Sequence, residues 1–133
     1  MSSLTISPDC STAFAELRDD KKFKCIIYKI DSSNRLFTEH TYEDFDWNDL
    51  KEYFLGTCPK TAAYAVYEFG ESYEHKVAFV SWCPNTAPTR TKMIYGTNRD
   101  TVKQSFDGIS LDIQATDMGD LDNRQVFEQL DKV

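Results

Sequence analysis

The chain has little that performs chemistry. Its 133 residues contain only two histidines, His40 and His75, and neither lies in a recognisable nucleophile-and-base signature. The five glycines are scattered, so no phosphate-cradling loop can be read. Four cysteines, Cys10, Cys25, Cys58 and Cys83, are widely spaced, with no CxxC pair and no histidine at ligand spacing. That argues against zinc and against a redox pair, and predicts reduced, partly buried thiols. Neither catalysis, a metal nor a cofactor is expected. No window approaches the roughly 18 uninterrupted apolar residues of a membrane helix. The opening "MSSLTISPDC" carries no basic leader or long apolar run, which makes a cytoplasmic location the expectation.

Cations are also in short supply. Fifteen Lys and Arg stand against 22 Asp and Glu, for a formal net charge of −7 and a pI near 4.7. A polyanion would be repelled unless local positive charge outweighed that total, so nucleic acid is not an expected partner. The position of each Lys and Arg is correspondingly informative.

Hydrophobic residues make up 41% of the chain and aromatics 14%, enough for one self-sufficient core. No repeat, low-complexity tract or linker divides it, so residues 1–133 read as one domain. "SPDCSTAFAELRDD" predicts a helix with Ser7 as N-cap and Pro8 at its first position. Cys10, Ala13, Phe14 and Leu17 recur on one face. "KCIIYKID" and "RLFTEHT", separated by the turn-forming "SSN", predict a hairpin. A second helix fits "DFDWNDLKEYFL", with Trp47, Leu50 and Phe54 on a shared face. "TAAYAVYEF" and "KVAFVSWC", joined only by "GESYEH", read as central strands buried on both faces. A long helix from about Thr89 to Phe106, a strand at "ISLDIQA" and a helix around "DNRQVFEQLDK" complete the chain. The order is too mixed for a helical bundle and too irregular for a doubly wound fold; it predicts a sheet with helices on both faces.

The long helix begins in "APTRTKMIY", residues 87–95, which sets Arg90 and Lys92 beside Met93 and Tyr95. Lys92, Arg99 and Lys103 recur at i, i+7 and i+11, so a regular helix aligns them as a cationic stripe. Tyr95, Val102 and Phe106 repeat that spacing as an apolar stripe three residues on. Spacing leaves two readings open: a solvated face that serves solubility, and a docking stripe. Met93 fits either core or contact surface.

"WCPNTAPTRTKMIYGTNRDTVKQSF" followed by "GISLDIQATD" closely resembles the strand, loop, long helix and next strand of the actin-depolymerising factor (ADF)/cofilin family. That family's run is Trp-x-Pro-(Asp/Asn)-x-Ala-Pro-x-(Lys/Arg)-x-Lys-Met-x-Tyr. "SPDCSTAFAELR", "TYEDF" and "AYAVYEF" resemble it at colinear positions. The resemblance implies an α+β fold: a single ADF-homology domain whose central mixed sheet of five or six strands is flanked by helices on both faces, preceded by a flexible contacting segment, residues 1–6. It implies an actin-binding protein that promotes filament depolymerisation and turnover, acting as a monomer on the actin cytoskeleton rather than as an enzyme. Carried over by position, Arg90, Lys92, Met93 and Lys103 on the long helix, with Ser2, Ser3, Leu4 and Ile6 at the amino terminus, match contacts to the actin monomer; Gln104 stands where a second cation is common, and Arg99 joins the candidate contacts through the cationic stripe. Ser2 resembles the family's regulatory phosphorylation site. Actin is acidic, so a protein of charge −7 needs its cations concentrated around an apolar anchor to bind it.

The chain departs from relatives that bind filament sides. Their projecting basic hairpin is replaced by "YEFGESYEHKVAF", where Lys76 matches one filament-contact position but Glu74 stands where a second cation is common. The final helix region offers only Arg124 and Lys132 as cations. Weak filament-side binding and severing are therefore expected, with a bias toward monomeric actin and with removal of subunits from filament ends left open. Two other readings stay open: a regulator responsive to anionic phosphoinositides through Lys92, Arg99 and Lys103, and a filament-binding member of the fold superfamily that does not depolymerise.

Overall fold

Residues 3–133 are described in the computed structural model. Thr5–Ile6 (β1) leads into the helix Pro8–Arg18 (α1). The hairpin strands are Cys25–Ile30 (β2) and Arg35–Tyr42 (β3), followed by helix Trp47–Thr57 (α2). Ala63–Glu68 (β4) and Val77–Trp82 (β5) flank a short 3-10 turn at Glu71–Tyr73. Helix Thr89–Gln104 (α3), strand Ile109–Ala115 (β6), a 3-10 turn at Met118–Leu121 and helix Asn123–Leu130 (α4) complete the order.

The strands form one sheet in the order β1-β3-β2-β4-β5-β6. The predicted hairpin is present as β2 antiparallel to β3, and β4 pairs antiparallel with both β2 and β5. The last pair, β5 with β6, is parallel. Two parallel neighbours cannot be joined by a tight turn, and α3 supplies the long crossover between them. The sheet is therefore mixed, with six strands and helices on both faces.

Strict alternation along β4 and β5 divides the interior in two. Ala63, Ala65, Tyr67, Ala78, Val80 and Trp82 point to one face, where Trp47, Leu50 and Phe54 of α2 and Val126 and Leu130 of α4 cover them. Tyr64, Val66, Val77 and Phe79 point to the other, under Cys10, Phe14 and Leu17 of α1 and Tyr95, Val102 and Phe106 at α3. Every residue of β4 and β5 is buried, because both faces of these strands are covered. The apolar stripes predicted for α1, α2 and the long helix all lie in these cores. Phe106 does so from just beyond the last turn of α3.

One local expectation is corrected. Ser7 is the N-cap residue of α1, yet its side chain does not cap the helix: its hydroxyl donates to Asp9 and accepts from Arg35 Nη2 at 2.8 Å. The amino-terminal segment carries a short strand at Thr5–Ile6. Thr5 and Ile6 pair in parallel with Arg35 and Leu36, and Thr5 N–H donates to the Asn34 carbonyl at 3.0 Å. Two residues are too short a run for periodicity to reveal, and the β3 edge supplies the pairing. At the start of α2, Asp46 and Asp49 cap each other reciprocally, at 2.8 and 2.9 Å.

Candidate functional site

Tyr95 sets the position of α3. It is 8% exposed, and its phenol oxygen accepts a hydrogen bond from Ile30 N–H at 2.9 Å. Its own carbonyl accepts from the buried Tyr64 hydroxyl. These contacts tie the first half of α3 to the end of β2 and to β4. Burial raises the Tyr95 phenol above its ordinary pKa of 10, so it stays protonated at neutral pH.

With α3 held there, a groove of about 1010 Å³ opens along one flank of the helix. Arg90, Met93, Ile94, Thr97, Asn98 and Thr101 form its α3 wall. Ser3 and Leu4 lie at its amino-terminal side, and the β2–β3 turn, Asp31–Asn34, forms the opposite border. The turn is braced by its own side chain: Asp31 Oδ1 accepts from Ser33 N–H at 2.9 Å and from Arg35 N–H at 3.1 Å. Since Asn34 also receives Thr5 N–H, one framework holds the turn, the amino-terminal segment and α3. Met93 is 65% exposed, which removes the core reading of that residue. An exposed methionine beside an arginine and a half-buried leucine forms an apolar centre with a cationic margin, the arrangement of a protein-docking surface.

The structure separates the sequence-derived helix residues into two groups. Arg90 and Met93 share the groove with Ser3 and Leu4, while Ile6 is half-buried against the α1 and α3 core. Lys92 and Gln104 are exposed. Arg99 and Lys103 lie on the opposite flank, beside β6. The Arg99 side chain is only 13% exposed: Nε donates to Ser81 Oγ at 2.8 Å, Nη2 to Asp112, and its carbon stands 5.7 Å from the Phe79 ring centre. Lys103 Nζ pairs with the other oxygen of Asp112 at 3.2 Å. The expected accessible stripe through Lys92, Arg99 and Lys103 is thus corrected at Arg99, which serves the helix–sheet seam. Helical spacing predicts the alignment but cannot foresee an aspartate arriving from β6.

The filament-contact candidates are dispersed. The Phe69–Lys76 connection is folded back on itself, with Glu74 and His75 both in left-handed conformations, at φ of 57° and 56°. Glu74 is exposed. Lys76 Nζ turns away toward the end of α4 and donates to the Val133 and Leu130 carbonyls at 2.7 and 3.4 Å. Arg124 pairs with Glu128 at 3.2 Å across one exposed turn of α4. Ser2 lies outside the described residues.

No group of three or more potential metal ligands occurs among the described residues. No helix among them is long and apolar enough to cross a membrane. His40 is exposed on β3, and His75 Nδ1 lies 3.2 Å from the buried Glu68 carboxylate. Cys10, Cys25 and Cys58 are buried and Cys83 is half-buried; burial raises the Cys83 thiol above its ordinary value despite the opposing influence of Lys92. None of the four has the lowered pKa of a reactive thiol.

The groove border at Asp31–Asn34 and the contribution of Asp112 escaped the sequence reading. The "SSN" turn is legible as a turn, but only the tertiary pairing carries it beside α3.

Comparison with known proteins gives a consistent result. Residues 3–131 match the pattern of the Cofilin/tropomyosin-type actin-binding proteins. The chain is 36% identical to cofilin of Schizosaccharomyces pombe over 135 residues, covering 97% of this chain and 96% of that one. It is 34% identical to actin-depolymerizing factor 2 of Oryza sativa, over 91% of this chain and 86% of the other. Among solved structures, Streptomyces griseoflavus cofilin superposes with a TM-score of 0.85 at 25% identity, covering 98% of each chain.

Proposed function

As a member of the cofilin/tropomyosin-type actin-binding family, this chain is, we propose, an actin-binding protein of the ADF/cofilin type that takes the actin monomer along α3 and promotes filament depolymerisation and turnover. It performs no chemistry of its own: the family consists of actin-binding proteins, not enzymes. The observation that carries the site is the shared groove, which combines the carried-over contacts Ser3, Leu4, Arg90 and Met93 on one continuous surface. Charge at Arg90 and Lys92 steers an acidic partner, and Met93 with Leu4 anchors it once water is excluded. The protein acts as a monomer on the cytoplasmic actin cytoskeleton.

Filament-side binding is weak in this reading. Its support is the folded-back connection between β4 and β5, the acidic Glu74 at its surface, and a Lys76 ammonium already held by the end of α4. The phosphoinositide reading gains nothing, since two of its three cations, Arg99 and Lys103, are paired with Asp112. Regulation by phosphorylation at Ser2 would act by placing about two negative charges against an acidic partner.

The test is titration of ATP-actin and ADP-actin monomers with the protein, beside a pelleting assay on filaments. Saturable monomer binding with a rise in supernatant actin is expected. Accumulation in the filament pellet with no such rise would overturn the reading.

A further inference from the structure

We propose that Asp112 is a positioning residue that holds Lys103 back on the β6 flank of α3 and so sets how much of that cationic flank a partner can use. The inference rests on the reading that an acidic actin monomer docks along α3. Asp112 projects from β6 between two cations of the same helix: one carboxylate oxygen receives Arg99 Nη2 and the other stands 3.2 Å from Lys103 Nζ. The two cations differ in what else holds them. Arg99 keeps Ser81 Oγ at 2.8 Å and the Phe79 ring whether or not Asp112 is charged. Lys103 has a side chain 37% exposed, and Asp112 is the acid it pairs with. Neutralising Asp112 therefore leaves Arg99 seated and releases Lys103.

Electrostatically, a carboxylate that close cancels most of the ammonium's field at the distance of an approaching partner, because the pair acts as a dipole rather than a charge. The flank then presents Lys92 as its effective cation, although its sequence contains three. The restraint is graded rather than all-or-none, since both members of the Lys103–Asp112 pair reach solvent. Salt weakens such a pair and steering alike.

The experiment compares Asp112→Asn with Glu52→Gln, which removes one negative charge from the exposed surface of α2 on the opposite face of the sheet. In low salt, Asp112→Asn is expected to raise the association rate with monomeric actin about threefold, and Glu52→Gln by less than about 1.5-fold, with the difference shrinking as salt rises. Lys103→Ala added to Asp112→Asn is expected to abolish the gain. A partner-independent arm follows the Lys103 side-chain NMR signal during titration with inorganic pyrophosphate, in which Asp112→Asn responds at lower concentration than the wild type. Thermal unfolding of each variant separates release of Lys103 from loss of the fold, and Asp112→Glu, which keeps the charge, is expected to behave as wild type. If Asp112→Asn matches Glu52→Gln and its Lys103 signal is unmoved, the restraint is overturned. If the signal responds but no variant binds actin, the actin reading fails and the restraint stands.

Discussion

The Ile30 N–H group donates to the Tyr95 hydroxyl at 2.9 Å, a single bond that joins the end of β2 to the first half of α3. Both sides of the candidate groove depend on that junction, since the turn after Ile30 forms one border and α3 the other. Tyr95→Phe keeps the ring and removes the acceptor. We expect it to cost about 1–2 kcal/mol through the donor left behind. Urea unfolding should show a lower midpoint at unchanged slope; an unmoved midpoint would show that the bond does not secure the helix.

Arg90 and Arg99 lie on one helix but differ in consequence. The exposed pair Arg90→Ala with Lys92→Ala should change stability by no more than about 0.5 kcal/mol. It should weaken actin-monomer binding about tenfold or more, as expected for charges at the margin of an apolar anchor. Arg99→Ala should instead cost about 1–3 kcal/mol, because it leaves Ser81 and Asp112 without their shared donor. Melting curves paired with monomer titration distinguish the two, and equal effects on stability would refute the assignment.

Glu68 is 2% exposed at the end of β4, where Gly70 N–H donates to its carboxylate and Lys24 Nζ lies 3.6 Å away. Gly70 has φ of 89°, a conformation that glycine adopts without strain, so this contact begins the folded-back connection to β5. Glu68→Ala is expected to destabilise by about 2–3 kcal/mol, below the 3–5 kcal/mol of a fully buried pair because Lys24 reaches solvent. Glu68→Gln retains an acceptor for Gly70 and should lose less. Hydrogen exchange at Gly70 should accelerate in the alanine variant; unchanged protection there would count against the anchoring role.

Acid sensitivity has an identifiable contributor before α4. Thr116 N–H, at 2.9 Å from Asp120 Oδ2, is the main cause that lowers the Asp120 carboxyl below its ordinary 3.8. A carboxyl with a lowered folded-state pKa contributes stability that is present above its unfolded value and lost as pH falls through the folded one. Asp120→Asn should therefore flatten the decline in stability as pH is lowered below about 4. Denaturant titrations of both proteins from pH 5 to 2.5 test this, and parallel curves would exclude Asp120 as a source.

Much of this protein follows from residue order alone. Periodicity is a local property, so Cys10, Ala13, Phe14 and Leu17 specify the buried face of α1, and the unbroken apolar runs of β4 and β5 specify strands covered on both sides. The residues around Ala87–Tyr95 resemble the family's run and, through it, point to the helix that carries the proposed site. What order along the chain cannot specify is which distant side chain arrives beside a given cation. Arg90 and Lys103 look equivalent on a helix, yet Arg90 borders the groove while Lys103 meets Asp112 from β6. The same holds for Thr5 and Asn34, joined by a strand pairing too short to leave a pattern. Charge and polarity are encoded residue by residue, but their availability to a partner depends on neighbours far apart in sequence, and only the packed sheet brings those neighbours within hydrogen-bond reach.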